Sequence, residues 1–411
     1  MRILLSAYAC DPTSGSEPGI GWNWAINISK LGHQVWVVTR KKNKINIETA
    51  TLNNSELKKI KFIYFDLSPM FLKLKNTMGV HIYYELWQYN LLKFIKNKHE
   101  EFNFELVHHI TFGVLRQPSY LYQLNIPFIF GPIGGAEYMP GSLKKKLSFR
   151  AKAWEYVREI SNDALLRRPT LNACFKNANL IFSKTDQTAE YLLGHGFNSI
   201  VHPDIGVNKL CDSANINPNS TSIFSILYVG RLLHWKGIHL ALKAFKIFSA
   251  KYPNSSFTII GTGSFEKFLK KLVIELGLSD KVIFIGWVKY ENISSHYRTS
   301  KVFLFPSLHD SSGTVVLEAM NYNLPVVALA LGGPGVLLGK NCPTLIPVHE
   351  GYGENIIELL ADMLSRLYDD KFFYKLAQNW SKLRIEQYQW VDVVRTAYNK
   401  VDKSFLNKIS K

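Results

Sequence analysis

At 411 residues the chain is longer than one ordinary hydrophobic core supports, so two domains are expected. Its composition, 47% hydrophobic and 13% aromatic, is typical of a globular protein and excludes a disordered one. The net charge of +17 is spread over both halves, +9 in residues 1–205 and +8 in the remainder, which excludes a basic tail and favours anionic partners such as nucleotide sugars, acidic lipid surfaces or nucleic acid.

The cysteine pattern indicates a reducing compartment, and the hydropathy pattern indicates that no segment spans a membrane. The four cysteines lie far apart without a paired spacing, which argues against a disulfide framework and against a zinc site. The apolar run Ile3–Leu5 is too short for a signal peptide, and no apolar stretch approaches the roughly 20 residues that a membrane-spanning helix needs. We therefore expect a cytoplasmic protein, soluble or peripheral on the inner face of the cytoplasmic membrane.

The N-terminal residues predict a strand–helix–strand unit. Arg2–Ser6 is typical of a buried parallel strand, Asp11–Gly21 is turn-rich, Trp22–Leu31 is helical in pattern, and Gln34–Thr39 is a second strand. A loop that follows such a strand lies at the edge where open parallel sheets bind ligands. The loop lacks the Gly-x-Gly-x-x-Gly spacing, and basic residues rather than an acid follow the second strand, which disfavours a nicotinamide dehydrogenase.

Strand-like runs continue through the first half, and two of them end in residues suited to a binding site. The candidate strands are Lys61–Leu67, Leu106–Ile110, Pro127–Phe130, Ala178–Ser183 and Ser199–His202, with a helical pattern over residues 71–99. His108 and His109 close one strand, and the glycine-rich loop Gly131–Glu137 follows another. Adjacent histidines at this edge are either satisfied core residues or functional groups, and the pattern leaves both open.

Residues 142–168 interleave basic and aromatic side chains. Lys144, Lys145, Lys152 and Arg158 alternate with apolar residues such as Trp154. The pattern suits a basic amphipathic surface for anionic lipid headgroups, and it equally suits a solvated helix face.

The second half repeats the strand–loop–helix alternation after a polar stretch at residues 206–222, which is the expected linker. Its candidate strands are Phe224–Val229, Ser256–Ile260, Lys281–Ile285, Val302–Phe305 and Pro325–Leu329. Glycine and polar residues follow each strand, as in a doubly wound domain with a ligand crevice. We predict domains at residues 1–205 and 206–384, followed by helical residues to 411.

Two loops of the second half carry charges suited to a diphosphate and to sugar hydroxyls. Arg231 and Lys236 in one loop can neutralise a diphosphate, and free backbone N–H groups near Gly313–Val315 add a helix N-terminus. Asp310 and Glu318 can accept hydrogen bonds from sugar hydroxyls. The alternative is that Asp310 caps the helix and Glu318 is solvated. No Asp-x-Asp sequence is present to hold a metal ion, so we expect neither a metal nor another cofactor.

The chain resembles glycosyltransferase family 4, whose members are retaining enzymes with the GT-B fold. The matching motifs keep their order and spacing over essentially the whole chain, and the set is specific although each motif alone is weak. They are Gly15–Trp22, His108–Thr111, Gly131–Gly135, Gly230–Gly237 and Pro306–Met320.

The resemblance implies an α/β architecture of two facing Rossmann-like domains with a deep interdomain cleft. The second domain would hold the nucleotide sugar, the first the acceptor, and a final helix at about 385–411 would cross back to the first. The donor-binding residues that we assign are Gly15, Ser16, Arg231, Lys236, Gly263, Val288, Ser312, Gly313, Thr314, Val315 and Glu318. The residues assigned to the reacting centre are His109, His108 and Asp310, and those of the acceptor region are Glu17, Gly134 and Gly135.

Two positions depart from the family pattern. Asp310 stands where the family has a glutamate, which bears on donor-sugar identity. The two histidines are adjacent rather than spaced by one residue, and we favour His109 over His108 for the reacting centre. The resemblance also implies that the leaving phosphate accepts the acceptor's proton.

The predicted function is therefore hexosyl transfer from a UDP- or GDP-linked sugar to a lipid-linked or polysaccharide acceptor in bacterial envelope glycan synthesis. The alternative within the same fold is another nucleotide-sugar enzyme, such as an epimerase. A nucleic-acid binder rests on the net charge alone, and no nucleic-acid motif supports it.

Overall fold

The computed structural model describes residues 1–52, 54–71, 79–145, 147, 149–208, 223–289, 292–348 and 355–409. By its internal contacts the chain divides into two units. Unit 1 comprises Met1–Ala136, Arg158–Gly206 and Trp390–Lys411, and unit 2 comprises Glu137–Val157 and Val207–Gln389. The segment 137–157 thus groups with unit 2, although the sequence-based division placed it in the first domain.

Each unit is built on one parallel sheet. Unit 1 has a seven-stranded sheet in the order β3-β2-β1-β4-β5-β6-β7. Its strands are β1 Arg2–Ser6, β2 Gln34–Thr39, β3 Lys61–Tyr64, β4 Leu106–His109, β5 Phe128–Ile133, β6 Leu180–Ser183 and β7 Ile200–Val201. Unit 2 has a six-stranded sheet in the order β10-β9-β8-β11-β12-β13. Its strands are β8 Phe224–Val229, β9 Ser255–Ile260, β10 Val282–Gly286, β11 Val302–Phe305, β12 Val326–Leu329 and β13 Leu345–Ile346.

Helices connect the strands, as parallel pairing requires. Those up to Gly206 are α1 Ser16–Lys30, α2 Lys44–Leu52, α3 Val80–Phe102, α4 Gly141–Lys144, α5 Phe149–Leu166, α6 Pro169–Lys176 and α7 Asp186–Gly194. Those that follow are α8 Ile238–Lys251, α9 Glu266–Glu275, α10 Ser294–Thr299, α11 Thr314–Asn321, α12 Gly332–Leu338, α13 Ile356–Asp369, α14 Lys371–Ile385 and α15 Trp390–Ile409.

Four inner strands of the two sheets are buried along their whole length. All residues of β4, β5, β11 and β12 are buried, and apart from His108 and His109 these strands are apolar. In unit 1, α15 packs near α1, and the Tyr398 hydroxyl lies 3.2 Å from His108 Nδ1. The described cysteines, Cys10, Cys174 and Cys342, are buried and unpaired.

The prediction of a turn-rich loop over Asp11–Gly21 is wrong for residues 16–21, because α1 already begins at Ser16. Two glycines inside this helix explain the error. A Cβ on Gly19 would lie 2.5 Å from the carbonyl oxygen of Ser14, and one on Gly21 would lie 2.2 Å from that of Ala9. The glycines therefore permit close packing of the helix start against the preceding loop, where the sequence suggested a flexible turn.

Other differences concern element ends and short elements. The helical pattern over 71–99 corresponds to α3, and its residues 72–78 lie outside the described part of the chain. The predicted linker at 206–222 lies outside it as well, apart from residues 206–208. The short strand β13 and several connecting helices were not predicted, because segments of this length carry too little periodicity.

Candidate active site

In both sheets the strand order reverses at one point, where ligands of open α/β sheets bind. In unit 2 this point lies between β8 and β11, and in unit 1 between β1 and β4. The loops after these four strands contain most of the residues that the sequence analysis assigned to a site.

In unit 2 the loop after β8 is held against the loop after β11 by backbone contacts. Gly237 has a φ of +69°, and a Cβ there would lie 1.9 Å from the carbonyl oxygen of Pro306. The Leu308 amide donates to the Trp235 carbonyl over 2.8 Å. This close approach requires glycine at position 237 and fixes the position of the neighbouring Lys236.

The ammonium group of Lys236 forms an ion pair with the carboxylate of Asp310, and it lies 5.3 Å from the centre of the Phe305 ring. The side chains of Lys236 and Asp310 are 14% and 16% exposed. Partial burial of both groups reduces solvent screening of the pair. Arg231, at the start of the same loop, is exposed. The structure therefore places two cations and one carboxylate in the loops that follow neighbouring strands.

Asp310 is not a helix cap, so this alternative is wrong. Helix α11 begins at Thr314, and its N-cap is Gly313, which has a φ of +76° and no side-chain capping bond. The carboxylate of Asp310 is engaged by Lys236 instead. Asp310 Oδ1 also accepts a hydrogen bond from the Ser312 amide over 3.4 Å, and no side chain caps the helix, which begins at Thr314.

Glu318 is a half-buried residue with a specific partner, so the alternative of a solvated carboxylate is also wrong. The Tyr297 hydroxyl donates to Glu318 Oε2 over 2.8 Å. Burial raises the pKa of Glu318, and the hydrogen bond from Tyr297 opposes that rise. Sequence reasoning missed Tyr297, which lies on α10, because a tyrosine in a short helix gives no signal of this contact.

The two remaining residues assigned to unit 2 follow β9 and β10 at the same edge. A Cβ on Gly263 would lie 2.2 Å from the carbonyl oxygen of Leu232, so Gly263 packs directly against the loop that carries Arg231 and Lys236. Val288 is half-buried and follows β10.

In unit 1 the start of α1 is tied to the loop after β4. Ser16 follows Gly15 and adopts a φ of +56°, which is unfavourable for a residue with a side chain. The next residue, Glu17, is half-buried, and its carboxylate accepts a hydrogen bond from the Phe112 amide. Burial raises the pKa of Glu17, while Lys184 and the amide hydrogen bond lower it.

The two strand-end histidines are fully buried and neutral at pH 7. His108 uses both ring nitrogens, since Nε2 lies 2.8 Å from the Gly131 carbonyl and Nδ1 lies 3.2 Å from the Tyr398 hydroxyl. Burial lowers the pKa of His108 to about 4 and that of His109 to about 3. His109 Nε2 lies 3.1 Å from the Tyr84 hydroxyl, and among the described residues its Nδ1 has no hydrogen-bond partner.

Gly134 and Gly135 lie at the same edge of unit 1. Gly134 exchanges backbone hydrogen bonds with the segment after β4, donating to Gly113 and accepting from Leu115. The Gly135 carbonyl accepts from Asn162 Nδ2 over 3.1 Å. Thus Glu17, the loop after β4 and the loop after β5 form one connected region.

Within the described ranges, no group of three or more His, Cys, Asp or Glu side chains is arranged to hold a metal ion. Metal independence itself stays a prediction.

Two parallel Rossmann-like sheets, each with a loop-lined switch point, define the GT-B class of α/β proteins. Sucrose-phosphate synthase from Thermosynechococcus elongatus shares this fold with a TM-score of 0.65 and 18% identity over 99% of both chains. HepE from Anabaena, solved in complex with UDP-glucose, has a TM-score of 0.60 and 15% identity over 98% of this chain and 100% of that one. At these identities the likeness establishes the fold alone.

Residues 214–382 match the family model described as "Glycosyl transferases group 1". An uncharacterized glycosyltransferase of Methanocaldococcus jannaschii is 30% identical over 174 residues, which are 42% of this chain and 43% of the relative. The alignment thus spans less than half the length of the relative. The second half of the chain therefore contains a glycosyl transferases group 1 domain.

Proposed function

We propose that the protein is a retaining glycosyltransferase that moves a hexosyl group from a nucleotide-diphosphate sugar to a lipid-linked or polysaccharide acceptor of the bacterial envelope. The observation that carries the proposal is the Lys236–Asp310 pair at the β8–β11 switch point, with Arg231 in the same loop. Cations at this position suit the diphosphate, and a carboxylate beside them suits the hydroxyls of the transferred sugar.

The same geometry supports a chemical sequence that needs no nucleophilic carboxylate. Negative charge develops on the diphosphate as the glycosidic bond breaks, and Arg231 with Lys236 stabilises it. The acceptor hydroxyl attacks on the face that the diphosphate leaves, and its proton passes to a phosphate oxygen. Glu318 accepts from the ribose hydroxyls through the oxygen that Tyr297 does not occupy.

A panel of UDP-, GDP- and ADP-sugars in a thermal-shift assay tests the donor assignment. The native donor at about 100 times its Kd should raise the Tm by roughly 5–10 °C, because it binds only the folded state. Lys236→Ala should abolish this shift. Absence of stabilisation by every nucleotide sugar would contradict the proposal, and interconversion of donor sugars without an acceptor would favour the epimerase.

The first part of α5 supports the membrane-proximal role in this proposal. Phe149, Tyr156 and Val157 are 85%, 67% and 65% exposed. Phe149 and Tyr156 lie seven positions apart, on one face of the helix, and Lys152 between them is also exposed. No helix within the described part of the chain is long and apolar enough to cross a membrane.

We expect the protein to sediment with vesicles that contain an anionic lipid and to stay in solution with purely zwitterionic ones. Replacing Phe149 and Tyr156 by serine should reduce sedimentation several-fold, because it removes the apolar area that enters the headgroup region. A second variant neutralises Lys145 and Lys152 and should also sediment less. Unchanged sedimentation of both variants would remove the basis of the membrane assignment.

A further inference from the structure

A buried carboxylate from segment 137–157 contacts both loops of the unit 2 site. Glu155 lies on α5, belongs to unit 2 and is fully buried. Its Oε1 lies 2.9 Å from His309 Nε2 and 3.4 Å from His234 Nε2. His309 directly precedes Asp310, and His234 lies two residues before Lys236. The carboxylate therefore hydrogen-bonds the loop that carries Asp310 and lies close to the loop that carries Lys236.

Aromatic stacking also holds the segment 137–157 and the two loops together. The Trp154 ring stacks on the Trp235 ring with centroids 4.9 Å apart and planes 6° apart. The Trp235 ring in turn stacks on His309 at 5.4 Å. The stacked rings hold the two loops against each other, and the hydrogen bond to Glu155 fixes the orientation of the His309 ring.

A second buried carboxylate from the same segment holds the other side of Asp310. Glu137 is 2% exposed, and its Oε2 accepts a hydrogen bond from Ser311 Oγ over 2.7 Å. The residues before and after Asp310 are thus each bound to a carboxylate of segment 137–157. The Asp310 carbonyl also accepts from the Gly333 amide over 2.6 Å.

Stability alone does not account for these buried carboxylates. Burying a carboxylate is costly, and an apolar contact of similar volume often holds two segments together equally well. Directional hydrogen bonds add a defined orientation. Orientation matters at Asp310 because its side chain is short, so the backbone of residues 309–311 determines where its carboxylate lies.

Resting on the proposed function, we infer that Glu155 and Glu137 are positioning residues that orient Asp310 toward the transferred sugar of the donor. They act on the sugar part of the donor, whereas Arg231, Lys236 and the backbone amides bind its diphosphate and Glu318 binds its ribose. Donor-sugar selectivity thus depends on residues far in sequence from the group that contacts the sugar.

The test compares a nucleoside diphosphate with its sugar in Glu155→Gln, Ser311→Ala and wild type. Kd values for UDP, UDP-glucose, GDP and GDP-mannose are measured by calorimetry, together with kcat for donor hydrolysis. We expect the Kd of the bound nucleotide sugar to rise about tenfold and kcat to fall, while the Kd of the matching diphosphate changes less than twofold. Glu275→Gln, an exposed carboxylate of unit 2, is the charge-matched control and should change neither.

Three other outcomes overturn the inference. An equal loss of diphosphate and nucleotide-sugar affinity with a lower Tm would show that these residues only stabilise unit 2. Unchanged nucleotide-sugar affinity and kcat in both variants would show that they do not orient Asp310. Failure of wild type to bind any nucleotide sugar of the thermal-shift panel would contradict the proposed function itself. Ser311→Ala keeps the test decisive if Glu155→Gln folds poorly, because it removes a single hydroxyl.

Discussion

Lys236→Ala is expected to lower kcat/KM for sugar transfer by about 10²–10³-fold, the usual effect of removing one preorganised electrostatic contact to a developing anion. The ammonium group is held in place by the loop geometry at Gly237 and by Asp310. It is therefore preorganised for a diphosphate that gains charge during the reaction. Initial-rate measurements with the donor selected by thermal shift give the value.

Lys236→Ala also leaves Asp310 without its cation, so a second variant is needed. Arg231 is exposed, and Arg231→Ala removes a positive charge without that complication. We expect it to lose most of the transfer activity with an unchanged Tm. Lys243→Ala, an exposed lysine on α8, is the matched control and should keep full activity. Full activity of either Lys236→Ala or Arg231→Ala would remove the diphosphate assignment.

Gly237→Ala is expected to reduce the free energy of unfolding of unit 2 by about 2–5 kcal/mol. Roughly 1–2 kcal/mol comes from placing a side chain at positive φ and about 1–3 kcal/mol from overpacking. The new methyl group would lie 1.9 Å from the Pro306 carbonyl oxygen, so the two loops must separate. Urea unfolding followed by tryptophan fluorescence measures the change.

Gly277→Ala separates the two contributions. Gly277 has a φ of +65°, close to that of Gly237, but a Cβ there would meet only Lys246 Nζ at 3.8 Å. It should cost only the backbone part, about 1–2 kcal/mol. Equal destabilisation by the two substitutions would show that the contact with Pro306 does not hold the loops together.

The residues of the candidate site differ in how far sequence could predict them. Arg231, Lys236, Asp310 and Glu318 were assigned because they follow strands at a sheet edge and match a motif. Sequence could not show that Lys236 pairs with Asp310, because the two residues lie 74 positions apart in separate loops. No local sequence pattern links two such loops. The sequence also could not exclude Asp310 as a helix cap, because only the structure shows that the helix begins at Thr314.

The N-terminal loop shows where a sequence pattern misleads. Glycines at positions 15, 19 and 21 suggest a turn, yet two of them lie inside α1. Glycine has two uses, adopting unusual backbone angles and allowing close approach, and only the neighbouring carbonyl groups of Ala9 and Ser14 show which one applies.

The sequence by itself determined the two parallel sheets, the strand ends that bear the site and the residue types there, because buried parallel strands are continuous apolar runs that end in glycine and polar residues. Only the tertiary structure decided which of these residues meet. The contacts of Glu155 with His309, 154 positions away, and of Glu137 with Ser311, 174 positions away, arise from packing of segment 137–157 within unit 2. Such contacts leave no local pattern, because side chains on separate elements are brought together only when the sheets and helices pack.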